Sequence, residues 1–157
     1  MGQAMLNGWL KNGVPASSIK IIDPVTQIAE VECFASISEL DQSFVPNYVI
    51  IAVKPQIVED ITDDIKKFGD AIFISIMAGK KIDYLQNKLG NVKIIRAMPN
   101  LPATIGEGVT ALVSNGDTDN EKEEIGKLFD SIGSYIWLDD ESEMDAVTAV
   151  SGSGPAY

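Results

Sequence analysis

Three predominantly apolar runs constrain the fold more than any other feature of this sequence. They occupy residues 48–53 (YVIIAV), 71–77 (AIFISIM) and 93–98 (KIIRAM). Each run is short and rich in β-branched residues, and turn-forming residues lie beside it, which is typical of strands buried on both faces. Helical patterns separate the runs. The alternation predicts an α/β fold, a Rossmann-like, doubly wound and mainly parallel sheet with right-handed crossovers and helices on both faces.

The remaining elements follow from hydrophobic spacing. Apolar residues three and four positions apart predict helices over 4–10, 56–68, 82–89, 120–132 and 143–150. Further strands are predicted at 19–22, 28–34, 108–113 and 134–138. Asn12 and Gly13 are suited to closing the first helix. The alternation ends near residue 141, so we expect a dinucleotide-binding domain over 1–141 and the start of a helical second domain over 142–157.

Composition excludes several classes of function. The net charge of −11 argues against a nucleic-acid partner or an anionic membrane surface. No apolar run approaches the roughly 20 residues of a membrane helix, and no signal-type segment opens the chain, so we expect a cytoplasmic protein. The single Cys33 and the lack of His exclude the usual zinc sites and His-dependent nucleophiles. Any chemistry must therefore depend on a cofactor or on backbone groups.

The residues that leave the predicted strands are the candidates for ligand binding, because open parallel sheets bind ligands at the carboxyl ends of their strands. Each candidate also has a purely structural alternative. Lys54 and Pro55 could simply begin a helix, and Ala78-Gly79 could be only a tight turn. Pro99-Asn100 could be only a strand end, and Asp23-Pro24 only the start of a turn.

Gly2 and Asp23 have the spacing of a dinucleotide site. Gly2 would be the third glycine of G-x-G-x-x-G, without the first two, although an ordinary helix start is the simpler explanation of a single glycine. Asp23 follows 21 positions later, close to the roughly 20-residue offset at which an acidic side chain holds the ribose hydroxyls of NAD. An NADP site would more often present Arg or Ser to the 2′-phosphate.

Four motifs occur in a characteristic order: AVKPQ at 52–56, SIMAG at 75–79, RAMPNLPA at 96–103 and DAVTAVSGSGPAY at 145–157. Together they resemble the pyrroline-5-carboxylate reductase family from Gly2 to the last residue. The resemblance implies reduction of 1-pyrroline-5-carboxylate to L-proline by hydride from NADPH or NADH. It implies a cofactor site formed by Gly2, Asp23, Ala52, Val53, Lys54, Pro55, Met77, Ala78, Gly79, Pro99 and Asn100.

The resemblance also places residues near the substrate, namely Glu141, Ser151, Gly152 and Ser153. No residue of the chain is assigned as catalytic, and no metal is expected. Leu101 replaces the threonine of the family's MPNTP motif. The first strand, with its two leading glycines, and most of the helical domain are expected to be missing. That domain forms the dimer or higher homo-oligomer and supplies the substrate loop, so we expect this fragment to be inactive alone.

Two alternatives stay open, one among enzymes and one in a different class. The chain could belong to a dehydrogenase of the β-hydroxyacid type, which uses a catalytic lysine on the first helix of its second domain. Residues 143–157 contain no lysine, which weakens that interpretation. It could also be a non-catalytic nucleotide-binding fragment of a longer protein.

Overall fold

A computed structural model of the chain describes residues 1–116 and 119–150. Its α-helices are α1 (Gly2–Lys11), α2 (Val58–Ile65), α3 (Ile82–Leu89), α4 (Lys122–Asp130) and α5 (Glu143–Thr148). Its strands are β1 (Lys20–Ile22), β2 (Glu32–Phe34), β3 (Tyr48–Ile51), β4 (Ile72–Ser75), β5 (Ile94–Pro99), β6 (Gly108–Ser114) and β7 (Gly133–Trp137). Short 3₁₀ turns occur at Ala16–Ser18, Ile37–Glu39, Lys66–Phe68 and Leu101–Ile105.

The strands form two sheets. β1 and β2 pair in parallel with each other, and the larger sheet has the order β3-β4-β5-β6-β7. β3, β4 and β5 are parallel, β6 is antiparallel to β5, and β7 is parallel to β6. The predicted α/β class and the mainly parallel pairing are confirmed. The sequence did not indicate that β1 and β2 would pair only with each other among the described residues.

Both faces of the larger sheet carry a hydrophobic core, because successive side chains of a strand point to opposite faces. Phe73 of β4 packs in the core on the side that α2, α3 and α5 cover, together with Leu85 and Met144. The next residue, Ile74, packs in the core on the other side with Met5 of α1 and Phe129 of α4. All six side chains are fully buried. Helices therefore cover the sheet on both sides, as the doubly wound prediction requires.

Helix α1 is fixed to the larger sheet through α4. The indole Nε1–H of Trp9 donates to the carbonyl oxygen of Leu128 at 2.7 Å. A Cβ added at Gly8 would lie 2.7 Å from the carbonyl oxygen of Ser131, so only glycine permits this close approach. The packing sets the position of the amino end of α1, which forms part of the candidate site.

Several predicted boundaries were too wide. The predicted strand 28–34 is reduced to β2 because residues 24–31 form turns and irregular structure. The predicted helix 56–68 is divided into α2 and a 3₁₀ turn. Among the described residues, none of the helices combines the length and hydropathy that a bilayer crossing needs. The same residues contain no cluster of three or more carboxylate or thiol groups suited to a metal ion.

Candidate cofactor-binding site

The strand register brings three predicted exits to one edge of the larger sheet. Ile51 of β3, Ser75 of β4 and Arg96 of β5 are neighbours in one row of the sheet. The backbone N–H of Ile76 also donates to the carbonyl oxygen of Ile51 at 3.1 Å. Residues 52–55 and 77–79 therefore leave the sheet side by side, and β5 continues beside them to Pro99. This edge holds the carboxyl ends of three parallel strands, where such folds bind ligands.

The amino end of α1 meets the same edge. A Cβ added at Gly2 would lie 3.0 Å from the Cβ of Ala52, so the helix start and the β3 exit are nearly in contact. No side chain caps the amino end of α1. Its first N–H groups carry partial positive charge and are suited to an anion. The residues present therefore fit the phosphates of a dinucleotide.

The exit of β4 combines one buried residue with two exposed ones. Met77 is buried in the core, whereas Ala78 and Gly79 are exposed. Gly79 has a φ of +72°, and a Cβ added there would contact nothing within 4 Å. Glycine is required for backbone conformation rather than for space. The exit presents a small, flat surface directly before the turn into α3.

Asn100 holds the exit of β5. Its side-chain Oδ1 accepts a hydrogen bond from the N–H of Val109 at 2.9 Å, and its carbonyl oxygen accepts from the N–H of Ala103 at 3.1 Å. These bonds close the loop that contains the 3₁₀ turn and fix Pro99 and Asn100 at the edge. Leu101, which replaces the family's threonine, has a 78% exposed side chain. The substitution thus leaves an apolar side chain in solvent.

Asp23 lies at the carboxyl end of β1, outside the larger sheet. Its carboxylate accepts hydrogen bonds from the N–H groups of Val25 and Thr26 at 2.9 and 3.1 Å and from the Thr26 hydroxyl at 2.8 Å. The bond from Val25, followed by those from Thr26, holds the pKa of the Asp23 carboxyl below its usual value. The structure thus contains the turn that Asp-Pro favours. None of the hydrogen bonds of Asp23 within the described residues reaches the edge formed by β3, β4 and β5.

Arg96 is a buried charged residue that the sequence interpretation did not assign. Arg96 is 2% exposed, and its Nη1 donates to Oε1 of Glu141 at 2.9 Å. The same oxygen accepts a hydrogen bond from the N–H of Ile82 at 3.0 Å, at the start of α3. The Nε of Arg96 has no partner among the described residues. A cation in the interior of the run KIIRAM was the available sequence signal.

Glu141 therefore connects three elements. It joins β5 and the first turn of α3 to the segment that precedes α5. These contacts of Glu141 hold elements of the fold together. The place of Glu141 in the substrate region stays a prediction. Ser151, Gly152 and Ser153, the other predicted substrate-region residues, lie outside the described residues.

Two clefts of about 450 and 570 Å³ lie away from this site. Val45, Pro46 and Asp70 line both clefts, at the amino ends of β3 and β4. None of the predicted cofactor residues borders either cleft.

The parallel strand edge, the glycine contact at an uncapped helix start and the helices on both faces define a Rossmann-like nucleotide-binding domain. Residues 1–79 match the family model described as "NADP oxidoreductase coenzyme F420-dependent". The match covers half of the chain, and the chain belongs to this family.

Curated relatives show a similarity to one kind of enzyme. The chain is 36% identical over 165 residues to the pyrroline-5-carboxylate reductase of Haemophilus influenzae, with 100% of this chain and 61% of the relative covered. It is 35% identical to the enzyme of that name from Pisum sativum, with 100% of this chain and 60% of the relative covered. The resemblance stated from the motifs is confirmed. The chain spans about 60% of the length of these relatives.

Solved structures show a similarity to the same kind of enzyme. A pyrroline-5-carboxylate reductase from Coxiella burnetii has a TM-score of 0.87 at 24% identity, with 99% of this chain and 62% of that chain covered, which shows the shared fold. The pyrroline carboxylate reductase of Plasmodium falciparum, solved with NADP bound, has a TM-score of 0.86 at 29% identity. That match covers 100% of this chain and 60% of the other.

Proposed function

We propose that this chain is the cofactor-binding part of a pyrroline-5-carboxylate reductase, which reduces 1-pyrroline-5-carboxylate to L-proline with NADPH or NADH. The observation that carries the proposal is the shared edge: the exits of β3, β4 and β5 meet beside the uncapped start of α1. The names of the relatives supply the substrate. The bound NADP of the Plasmodium falciparum structure supports the cofactor class.

The amino end of α1 holds the pyrophosphate in this proposal. The uncapped N–H groups that begin at Gly2 donate to the phosphate oxygens, and the helix dipole favours their negative charge. A Cβ added at Gly2 would lie 3.0 Å from the Cβ of Ala52. A larger residue at this position would therefore enter the space that the phosphates need. Ala52, Val53, Lys54 and Pro55 line the ribose and pyrophosphate side.

The nicotinamide end lies against the exits of β4 and β5. The cofactor, when bound, supplies the hydride for the C=N carbon of the substrate. Met77, Ala78 and Gly79 give one wall, and Pro99 and Asn100 border the other. The protein contributes by holding the reacting carbon in line and excluding water, which suits a chain without His. The hydrogen bonds of Asn100 keep this border rigid.

The rest of the enzyme is part of the same proposal. Residues 1–141 form the dinucleotide-binding domain, and 142–157 begin a helical domain that completes the substrate site and forms a homodimer or higher oligomer. Glu141, Ser151, Gly152 and Ser153 border the substrate in that assembly. The enzyme is cytoplasmic. The end of the strand and helix alternation after β7, followed by α5, supports this division.

Two measurements test the function. The protein as its gene encodes it is incubated with 1-pyrroline-5-carboxylate and reduced dinucleotide, and loss of absorbance at the nicotinamide band is matched against proline formed. Oxidation of the cofactor in step with proline formation is expected. Dinucleotide oxidation without proline, or no turnover by the whole protein, would remove the proposal.

The second measurement locates the cofactor. Gly2→Ala should weaken binding of the reduced dinucleotide by about tenfold, because the methyl group crowds Ala52 where the pyrophosphate approaches. Gly69→Ala is the matched control. A Cβ there meets only the Lys66 carbonyl oxygen at 3.7 Å, and Gly69 lies before β4, at the opposite end of the strand. Equal affinities in the two variants would argue against the assigned site.

The alternatives are less well supported. A dehydrogenase of the β-hydroxyacid type is not favoured, because the curated relatives carry the name pyrroline-5-carboxylate reductase. A non-catalytic nucleotide-binding protein would bind dinucleotide in the Gly2 experiment but form no proline. The two measurements therefore separate the candidates.

A further inference from the structure

The loop that follows β1 has an unusual charge pattern for a site that binds a phosphate. No Lys or Arg occurs between Lys20 and Lys54, whereas Asp23, Glu30 and Glu32 all lie in that stretch. A 2′-phosphate carries a charge of about −1.5 to −2 at neutral pH, so its binding sites normally supply cations. The stretch supplies only carboxylates.

Lys20 cannot compensate for this lack. It lies at the first position of β1, about 10 Å back along the strand from Asp23 at the usual rise per residue. Its ammonium group is already paired with the carboxylate of Glu32 on β2. Lys54 follows β3, on the side that we assign to the pyrophosphate.

The direction of the chain is the argument for a place of Asp23 at the adenosine end of the proposed site. Helix α1 starts beside Ala52 at the carboxyl edge of the larger sheet and is ten residues long. A strand that follows such a helix returns toward the same edge, as in a βαβ crossover. The residue after β1 is Asp23, at the spacing where Rossmann folds contact the adenosine ribose.

The geometry of Asp23 suits a hydroxyl and not a phosphate. One oxygen, Oδ1, accepts the two backbone N–H groups, and Oδ2 accepts only the Thr26 hydroxyl. A carboxylate has about four acceptor positions, so one remains on Oδ2 for a ribose hydroxyl donor. A phosphate monoester is mostly the dianion at neutral pH, so it supplies little hydrogen-bond donor and is repelled by the negative charge of the carboxylate. The turn holds the carboxylate in place and favours its ionised form.

We propose that Asp23 makes this site selective for NADH over NADPH. The inference rests on the proposed function and adds the identity of the cofactor. It would set this chain apart from the Plasmodium falciparum relative whose structure contains NADP. The charge of one fixed carboxylate, without a compensating cation, is the source of the selectivity.

The test compares dissociation constants of NADH and NADPH, measured by nicotinamide fluorescence on the protein as its gene encodes it. The unsubstituted protein should bind NADH about tenfold more tightly than NADPH. Asp23→Asn keeps an Oδ1 that can accept both backbone N–H groups and removes the charge. It should tighten NADPH binding about tenfold and change NADH binding by less than about threefold.

Asp41→Asn is the matched control. Asp41 holds a turn of the same kind, since its Oδ1 accepts from the N–H and the hydroxyl of Ser43. The substitution changes the net charge equally but borders the cleft at the other end of β3. The ratio of the two dissociation constants should stay unchanged in this variant.

Val25→Arg is a second variant that does not disturb the turn, because the Val25 side chain is 85% exposed. It should tighten NADPH binding selectively by adding a guanidinium beside the 2′ position. NADPH binding as tight as NADH in the unsubstituted protein, or equal changes for both cofactors in Asp23→Asn and Val25→Arg, would overturn the selectivity alone. Failure of both cofactors to bind would overturn the proposed function as well.

Discussion

The larger sheet and the β1–β2 pair stabilise the two ends of the proposed site in different ways. β4 and β5 are almost wholly buried, and their exits are fixed by strand register and by core on both faces. β1 and β2 have three residues each and none of these is fully buried. The turn after β1 is held by local hydrogen bonds to Asp23 instead.

This difference separates two tasks of a dinucleotide site. The nicotinamide end must hold a reacting carbon to a fraction of an ångström, which favours rigid, packed elements. The adenosine end takes no part in the reaction and serves to distinguish one cofactor from another. A loop held by its own side chain can change in sequence without disturbing the core. We therefore expect substitutions in the larger sheet to affect stability strongly and those near β1 to affect mainly cofactor choice.

The largest expected effect comes from truncating the central core. Phe73→Ala should lower the free energy of unfolding by about 3–5 kcal/mol, because Phe73 is fully buried and the change leaves a cavity. Ile22→Ala at the end of β1 should cost less than about 1 kcal/mol, since Ile22 is 37% exposed. Urea denaturation of both variants measures the difference. Similar losses would show that the β1–β2 pair is as integral to the core as β4.

The second comparison uses one ion pair from each region. Arg96→Met should destabilise the protein by about 3 kcal/mol, because Arg96 is buried and Glu141 would lose its charged partner. Lys20→Met should cost at most about 1 kcal/mol, because its partner Glu32 is 61% exposed. Both values come from chemical denaturation.

A control separates the charge of Glu141 from its hydrogen bonds. Glu141→Gln keeps an acceptor for the Ile82 N–H and for Arg96, so it should cost less than Arg96→Met. If Arg96→Met proved no worse than Lys20→Met, the buried pair would contribute little to holding α3 against β5.

The third comparison concerns single polar side chains that bind backbone. Asn115→Ala should cost about 2 kcal/mol, because Asn115 accepts from Ile94 N–H at 2.8 Å and donates to the Val92 carbonyl at 2.9 Å beside the buried start of β5. Asp23→Ala should cost about 1 kcal/mol, because water can replace its bonds to an exposed turn. Thermal melts and urea midpoints should rank them in that order. The reverse ranking would make the β1 turn the more important of the two.

The accuracy of the sequence predictions also differs between the larger sheet and the β1–β2 pair. The apolar runs at β3, β4 and β5 identified buried strands, and their exits identified the edge, because local pattern and tertiary burial agree there. The predicted strand 28–34 was too long because residues 28–31 form a turn, in which the Val31 N–H donates to the Ile28 carbonyl oxygen at 3.2 Å. The Arg96–Glu141 pair joins residues 45 positions apart, which no local spacing reveals.

The smallest expected effect is a response to acid confined to the β1 turn. Hydrogen bonds from Val25 and then Thr26 hold the Asp23 carboxyl pKa below its usual value of 3.8. A lowered pKa means that the stabilisation is complete above the usual value and is lost as pH falls through the folded value. Hydrogen-exchange protection of the Val25 and Thr26 amides should therefore fall below about pH 4, relative to pH 6–7. The Ile76 amide, bonded to Ile51 between β3 and β4, should keep its protection over that range. Parallel loss at all three amides would mean that acid opens the larger sheet together with the turn.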